Sequence, residues 1–133
     1  MNRLSPLLVI SAVIYFAAAL PLLFAPEELL TVAGVSTSIL DMTLLQIIGS
    51  GIFGFAMLNW LNRYARVGGI FGRPVVAGNL AHAGTAALLL GRIGSRTSFS
   101  TLLTVGLVLY GSLALAFGFA FFVQPKPVAD QEN

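Results

Sequence analysis

The sequence of 133 residues contains no cysteine, one histidine and few charges, and each scarcity removes a class of function. Without cysteine these residues hold no disulfide framework, no thiolate nucleophile and no Cys-based zinc or iron–sulfur site. One histidine, His82, supplies neither two axial haem ligands nor a three-histidine metal site. Charged residues make up only 9% of the chain and hydrophobic ones 57%. A soluble domain uses about 25% charged residues to cover its surface, so the solvent for most of this surface must be lipid.

Charge is also missing from particular places. Residues 6–24, 42–61, 74–91 and 99–123 contain no Asp, Glu, Lys or Arg. A bilayer core of about 30 Å is crossed by roughly 17–25 helical residues, and all four stretches qualify. A charge at the centre of such a helix costs about 2.5–3.5 kcal/mol on insertion scales, which makes their shared absence informative. The chain is therefore expected to be all-α, a single transmembrane domain over 1–133 built as an integral membrane four-helix bundle. Pro26, Glu27 and Glu28 at the head of a short apolar turn predict an interfacial helix over 26–33. The polar, proline-containing tail 124–133 is expected to be disordered.

Local signals set the boundaries. Asp41 is expected to cap the second span and Pro74 to sit in the first turn of the third. Ser95, Thr97 and Ser98 offer capping hydroxyls ahead of the fourth, and Gly68-Gly69, Gly91 and Gly94 are expected in turns. Arg3 followed by an apolar run and Ala17-Ala18-Ala19 has the pattern of a secretory signal. The run continues through Leu20-Pro21-Leu22-Leu23-Phe24, beyond the usual 7–15 residues, so it reads as a retained helix.

The seven basic residues lie between the apolar stretches and form no dense stripe, which speaks for membrane topology and against nucleic acid. With the N-terminus cytoplasmic, Arg3, Arg63, Arg66, Arg73 and Lys126 share that side, against Arg92 and Arg96 on the other. Both termini are accordingly expected in the cytoplasm.

In hydrocarbon, helices associate through close contact of small residues. Gly54, Gly78, Gly84, Gly111 and Gly118 are the expected packing glycines, with Thr104, Gly111 and Gly118 repeating every seven residues on one face. Polar side chains at membrane depth face the interior and mark function by default. Gln46 and Ser50 share a face of the second span, and Asn79 and His82 a face of the third. They form either a pocket for the headgroup of a lipid or quinone-like molecule, or a structural hydrogen-bond clip between the two spans. Asn59, near Trp60 and Tyr64, is expected in the interfacial belt.

Other constellations fail. No carboxylate lies in a span, so a proton antiporter of the small multidrug-resistance type lacks its defining acid. A Ser/His/acid triad fails because the acids sit at the water interface, remote in depth from His82. Thr97-Ser98-Phe99-Ser100-Thr101 is similar to the break in small four-helix fluoride channels, but it precedes the fourth span instead of interrupting the third, and reads as a helix cap.

Three segments carry a resemblance: Leu23-Phe24-Ala25-Pro26-Glu27 ending span one, Leu45-Gln46-Ile47-Ile48-Gly49 opening span two, and Asn59-Trp60-Leu61-Asn62-Arg63 closing it. Over its first half the chain resembles the small bacterial four-helix membrane proteins grouped as DoxX-like or as domains of unknown function. That resemblance implies a multi-pass bundle in the bacterial inner membrane, in some cases tied to redox or respiratory partners. It carries over no catalytic residue. The expected function is thus a non-enzymatic accessory subunit or a binder of a lipophilic ligand. The alternatives are a small oligomeric transporter or channel, and a membrane enzyme of lipid or quinone chemistry using His82. No cofactor is expected, and the partners are membrane lipid together with a second copy or another membrane protein.

Overall fold

The computed structural model describes residues 5–35, 37–64, 72–97 and 99–123. All of its regular structure is helical, in five helices: α1 (Ser5–Phe24), α2 (Pro26–Val32), α3 (Ile39–Leu61), α4 (Gly72–Arg96) and α5 (Thr101–Phe122). The expectation of a disordered tail over 124–133 lies outside the described residues, as do Gly68-Gly69, Arg66 and Ser98.

Four of the helices, α1, α3, α4 and α5, are long and apolar enough to cross a membrane. At 1.5 Å per residue they measure about 30–38 Å, which matches or exceeds the hydrocarbon core. Their outward faces carry large apolar side chains, such as Leu88, Leu115 and Phe119. Exposure on this scale is unfavourable in water and without penalty in lipid.

The ends follow from local chemistry. Pro26 opens α2, where its missing N–H costs nothing, and Glu27 and Glu28 sit at the positive end of the helix dipole. The same helix stops in a Schellman arrangement: Gly34 N donates to Thr31 O and Val35 N to Leu30 O, both at 3.0 Å. That geometry needs the left-handed backbone of Gly34, at φ +68°, which a side chain would strain.

Two expected caps move. Ser38, not Asp41, caps α3: its Oγ accepts from Asp41 N at 3.1 Å and donates to Asp41 Oδ2 at 2.6 Å. Asp41 is the third residue of the helix, and its carboxylate completes a reciprocal pair with the capping hydroxyl. In the same way Ser100 caps α5 by accepting from Leu103 N at 3.3 Å. Ser95 and Thr97 instead donate back to Arg92 O and Ile93 O, extending α4. Gly91 and Gly94 therefore lie within α4 and not in a turn. Glycine costs only about 1 kcal/mol inside a helix, too little to stop one without a proline. Gly94 is also occupied structurally: a Cβ there would run into the Phe99 ring.

The helices form two compact units, one of α1, α2 and α3 and one of α4 and α5. In the first, α1 and α3 run antiparallel. Gly49 lies by Leu22, Phe53 by Phe16 with ring centroids 5.9 Å apart, Phe55 by Tyr15 at 6.1 Å, and Asn59 by Ser11. Besides Ser11, the buried positions Leu8, Ala12, Tyr15 and Ala19 of α1 and Gly49, Ile52, Ala56 and Asn59 of α3 alternate steps of three and four. That is the seven-residue spacing of a left-handed helix pair.

The second unit repeats the device. Gly118 faces Leu80, Gly106 faces Leu90 and Gly91 faces Leu107, again antiparallel. The buried positions of α5 are Leu113 and Phe117, and Tyr110 keeps the same spacing. The seven-residue period expected at Thr104, Gly111 and Gly118 is present, but the seam lies one position earlier, at Tyr110 and Phe117. Thr104 is exposed and turns its hydroxyl to Ser100 O. At Gly54, Gly84 and Gly111 an added Cβ would meet nothing within 4 Å, while Gly118 makes ordinary contact with Leu80. The close approach in the first unit comes from Gly49 instead.

Candidate functional site

The polar residues singled out in the sequence divide between the units, Gln46 and Ser50 on α3 and Asn79 and His82 on α4. Gln46 reaches across to α1, where its Nε2 donates to Leu23 O at 3.1 Å. The last carbonyls of a helix lack intrahelical donors, and Pro26 brings no N–H to this corner. Gln46 thereby caps the end of α1. Ser50 Oγ donates to Ile47 O at 2.8 Å along its own helix. Asn79 is fully buried and donates from Nδ2 to Val75 O at 2.8 Å. The His82 ring stands edge-on to Tyr110 of α5, with centroids 5.6 Å apart.

Asn59 is fully buried against α1, and its Nδ2 donates to Ser11 Oγ at 3.0 Å, while Ser11 in turn donates to Leu8 O at 3.1 Å. The signal was its distance from Gly49: ten residues along, on the same three-and-four spacing as Ile52 and Ala56, Asn59 falls on the seam. Interhelical bonds of this kind average about 0.6 kcal/mol and reach about 1.7. A double-mutant cycle of Ser11→Ala and Asn59→Ala should return a coupling in that range, read from unfolding in mixed micelles; strict additivity would deny the clip.

Beside this clip the α1–α3 pair leaves a groove of about 330 Å³, lined by Ala12, Val13 and Phe16 from α1 and Ala56, Met57 and Trp60 from α3. Its floor is the two buried alanines, and its walls are the four larger, partly exposed side chains. Alanine at these seam positions is what leaves the space. A more open hollow of about 290 Å³ lies where Gly51 and Gly54 supply no side chain between Phe55 and Leu58.

The groove presents hydrocarbon, two aromatic side chains and a thioether, and its volume is at the lower end of the ~300–1,000 Å³ common for ligand pockets. Polarity begins at one end. The Arg63 guanidinium lies 4.4 Å from the Trp60 ring centroid, and its Nη1 donates to Trp60 O at 2.7 Å. Trp60 and Tyr64 are exposed beside it, as residues anchoring a helix at a membrane surface are. The groove walls bring no acid, base or nucleophile together. Among the described residues no three of His, Cys, Asp and Glu stand close enough to hold a metal ion. No protein-family model matches the chain, and no curated protein or solved structure matches it.

Proposed function

We propose that this chain is a non-enzymatic, multi-pass protein of the bacterial inner membrane that holds a lipophilic ligand in the α1–α3 groove. In this reading α1, α3, α4 and α5 cross the bilayer as a bundle with both termini cytoplasmic. The DoxX-like resemblance and the concentration of Arg63, Arg66 and Arg73 from the end of α3 to the start of α4 support the setting and its orientation. The observation that carries the function is the groove itself: six residues from two antiparallel helices, none of them charged, opening beside a tryptophan at the end of a span. A lipophile fits such a surface by shape and dispersion, without any group that would transform it. The headgroup-pocket reading of Gln46, Ser50, Asn79 and His82 yields to this one because Gln46 is engaged as the cap of α1.

Native mass spectrometry of protein released from membranes tests the reading. The wild type should carry one lipophile of consistent chemical class, and Ala12→Leu with Ala56→Leu, which fills the floor, should lose it with helicity unchanged. A wild type free of any adduct, or a filled variant that retains the same one, would overturn the proposal. Accessory subunits, where present, appear in the same spectrum.

A further inference from the structure

The groove and the cation at its end together specify more than an apolar ligand. Along the two antiparallel helices Ala12–Phe16 and Ala56–Trp60 each span only about 6 Å, enough for the first few methylenes of one acyl chain and not for a whole lipid. The remainder of such a chain would run along the apolar outer faces of the helices, where Val13, Phe16 and Met57 are already exposed. At the Trp60 end the ligand must emerge into the interfacial zone, beneath the Arg63 guanidinium.

The Trp60 ring and the Trp60 carbonyl are among the contacts that hold Arg63 there. The C-terminal end of a helix ordinarily repels anions, because its last carbonyls carry partial negative charge. Here Arg63 Nη1 covers Trp60 O and Asn62 Nδ2 covers Leu58 O, so two of those carbonyls are masked and a guanidinium stands beside them. A guanidinium is a planar fork matched to phosphate oxygens, and basic residues where helices meet the cytoplasmic interface select anionic headgroups.

We propose that the occupant is an anionic phospholipid of the surrounding bilayer, one acyl chain in the α1–α3 groove and its phosphate on Arg63. This rests on the lipophile-binding reading and names its ligand class. Charge complementarity at the Trp60 end favours this occupant; a neutral quinone-like molecule, or a helix of a second copy, has nothing to place on the cation.

Trp60 is the only tryptophan in the chain, so its fluorescence reports this groove alone. The protein is reconstituted in phosphatidylcholine vesicles into which dibrominated phosphatidylglycerol or dibrominated phosphatidylcholine is titrated, and quenching is compared at equal mole fraction. The anionic lipid should bind about fivefold more tightly, the effect of one basic residue at the surface. Arg63→Gln should reduce that preference to parity while quenching itself persists, and Arg63→Lys, which keeps the charge without the fork, should retain part of it. Equal quenching by both lipids in the wild type, or an undiminished preference in Arg63→Gln, would overturn the phosphate assignment, as would quenching by neither. A wild type that carries a lipophile by mass spectrometry yet shows no headgroup preference would sink this inference alone; one carrying none would sink the functional reading beneath it.

Discussion

Replacing Gly49 with valine should prise α1 from α3 and destabilise that unit by about 1–3 kcal/mol, the range for forcing bulk into a filled interface. A Cβ at this position would sit 2.8 Å from Leu22 Cβ and 3.3 Å from the Leu22 backbone carbonyl carbon. A side chain can rotate away from an intruder, but a backbone carbon cannot, so α1 itself must move. In hydrocarbon this is costly for a second reason. Burying leucine against leucine gains nothing over lipid, so the helix pair depends on close approach, and Gly49 is where α1 and α3 come closest among the glycines of that unit. The Gln46 bond to Leu23 O, one turn away, should fail with it. Gly54→Ala is the matched control: nothing lies within 4 Å of its new Cβ, and alanine is favoured over glycine by up to about 1 kcal/mol in a helix. Unfolding by SDS in mixed micelles, followed by helical circular dichroism, should move to lower detergent for Gly49→Val and stay or rise for Gly54→Ala. Coincident curves for Gly49→Val and wild type would refute the close-approach account.

The second large effect is on insertion. Ala83 is fully buried near the middle of α4, the least apolar of the four long helices. Arginine there should cost about 2.5–3.5 kcal/mol, a shift on the order of a hundredfold in the insertion equilibrium. The absence of cysteine makes the readout clean, since a single introduced thiol is the only one that a membrane-impermeant maleimide can find. Cysteines at Gly69 and at Thr97 should label from opposite faces in the wild type, Gly69 from the cytoplasmic one, and from the same face once Ala83→Arg keeps α4 out. Ile14→Arg, near the middle of the more apolar α1, should leave a larger inserted fraction. Labelling of both sites from one face in the wild type would contradict the spanning assignment of α4 and the orientation together.

These two expectations differ in where their information came from. The insertion effect is legible from residue types, because a run of twenty uncharged residues has the same meaning wherever it packs. The Gly49 effect is not. Gly49, Gly51 and Gly54 stand close together in one helix, and only the position of α1 decides that Gly49 is in contact while Gly54 meets nothing. The same limit explains Asn59. Its neighbours Trp60 and Tyr64 are interfacial by type, yet its place on the seam turns it inward to Ser11, a residue with no signal of its own in the sequence. It also explains α5, where the seven-residue period was readable and its phase was one position out.

By itself, then, the sequence determined that the chain is helical, that four helices are long and apolar enough to cross a membrane, and that a short helix opening at Pro26 separates the first two. Charge exclusion and proline chemistry act locally, so they can be read along the chain. The tertiary structure alone decided which face of each helix turns inward, which glycine makes contact, and that alanines 12 and 56 line one groove with Trp60, whose ring lies under Arg63. The reason is physical. A helix bathed in lipid is apolar on every side, so no hydrophobic stripe marks its inner face, and that face exists only once a partner helix lies against it.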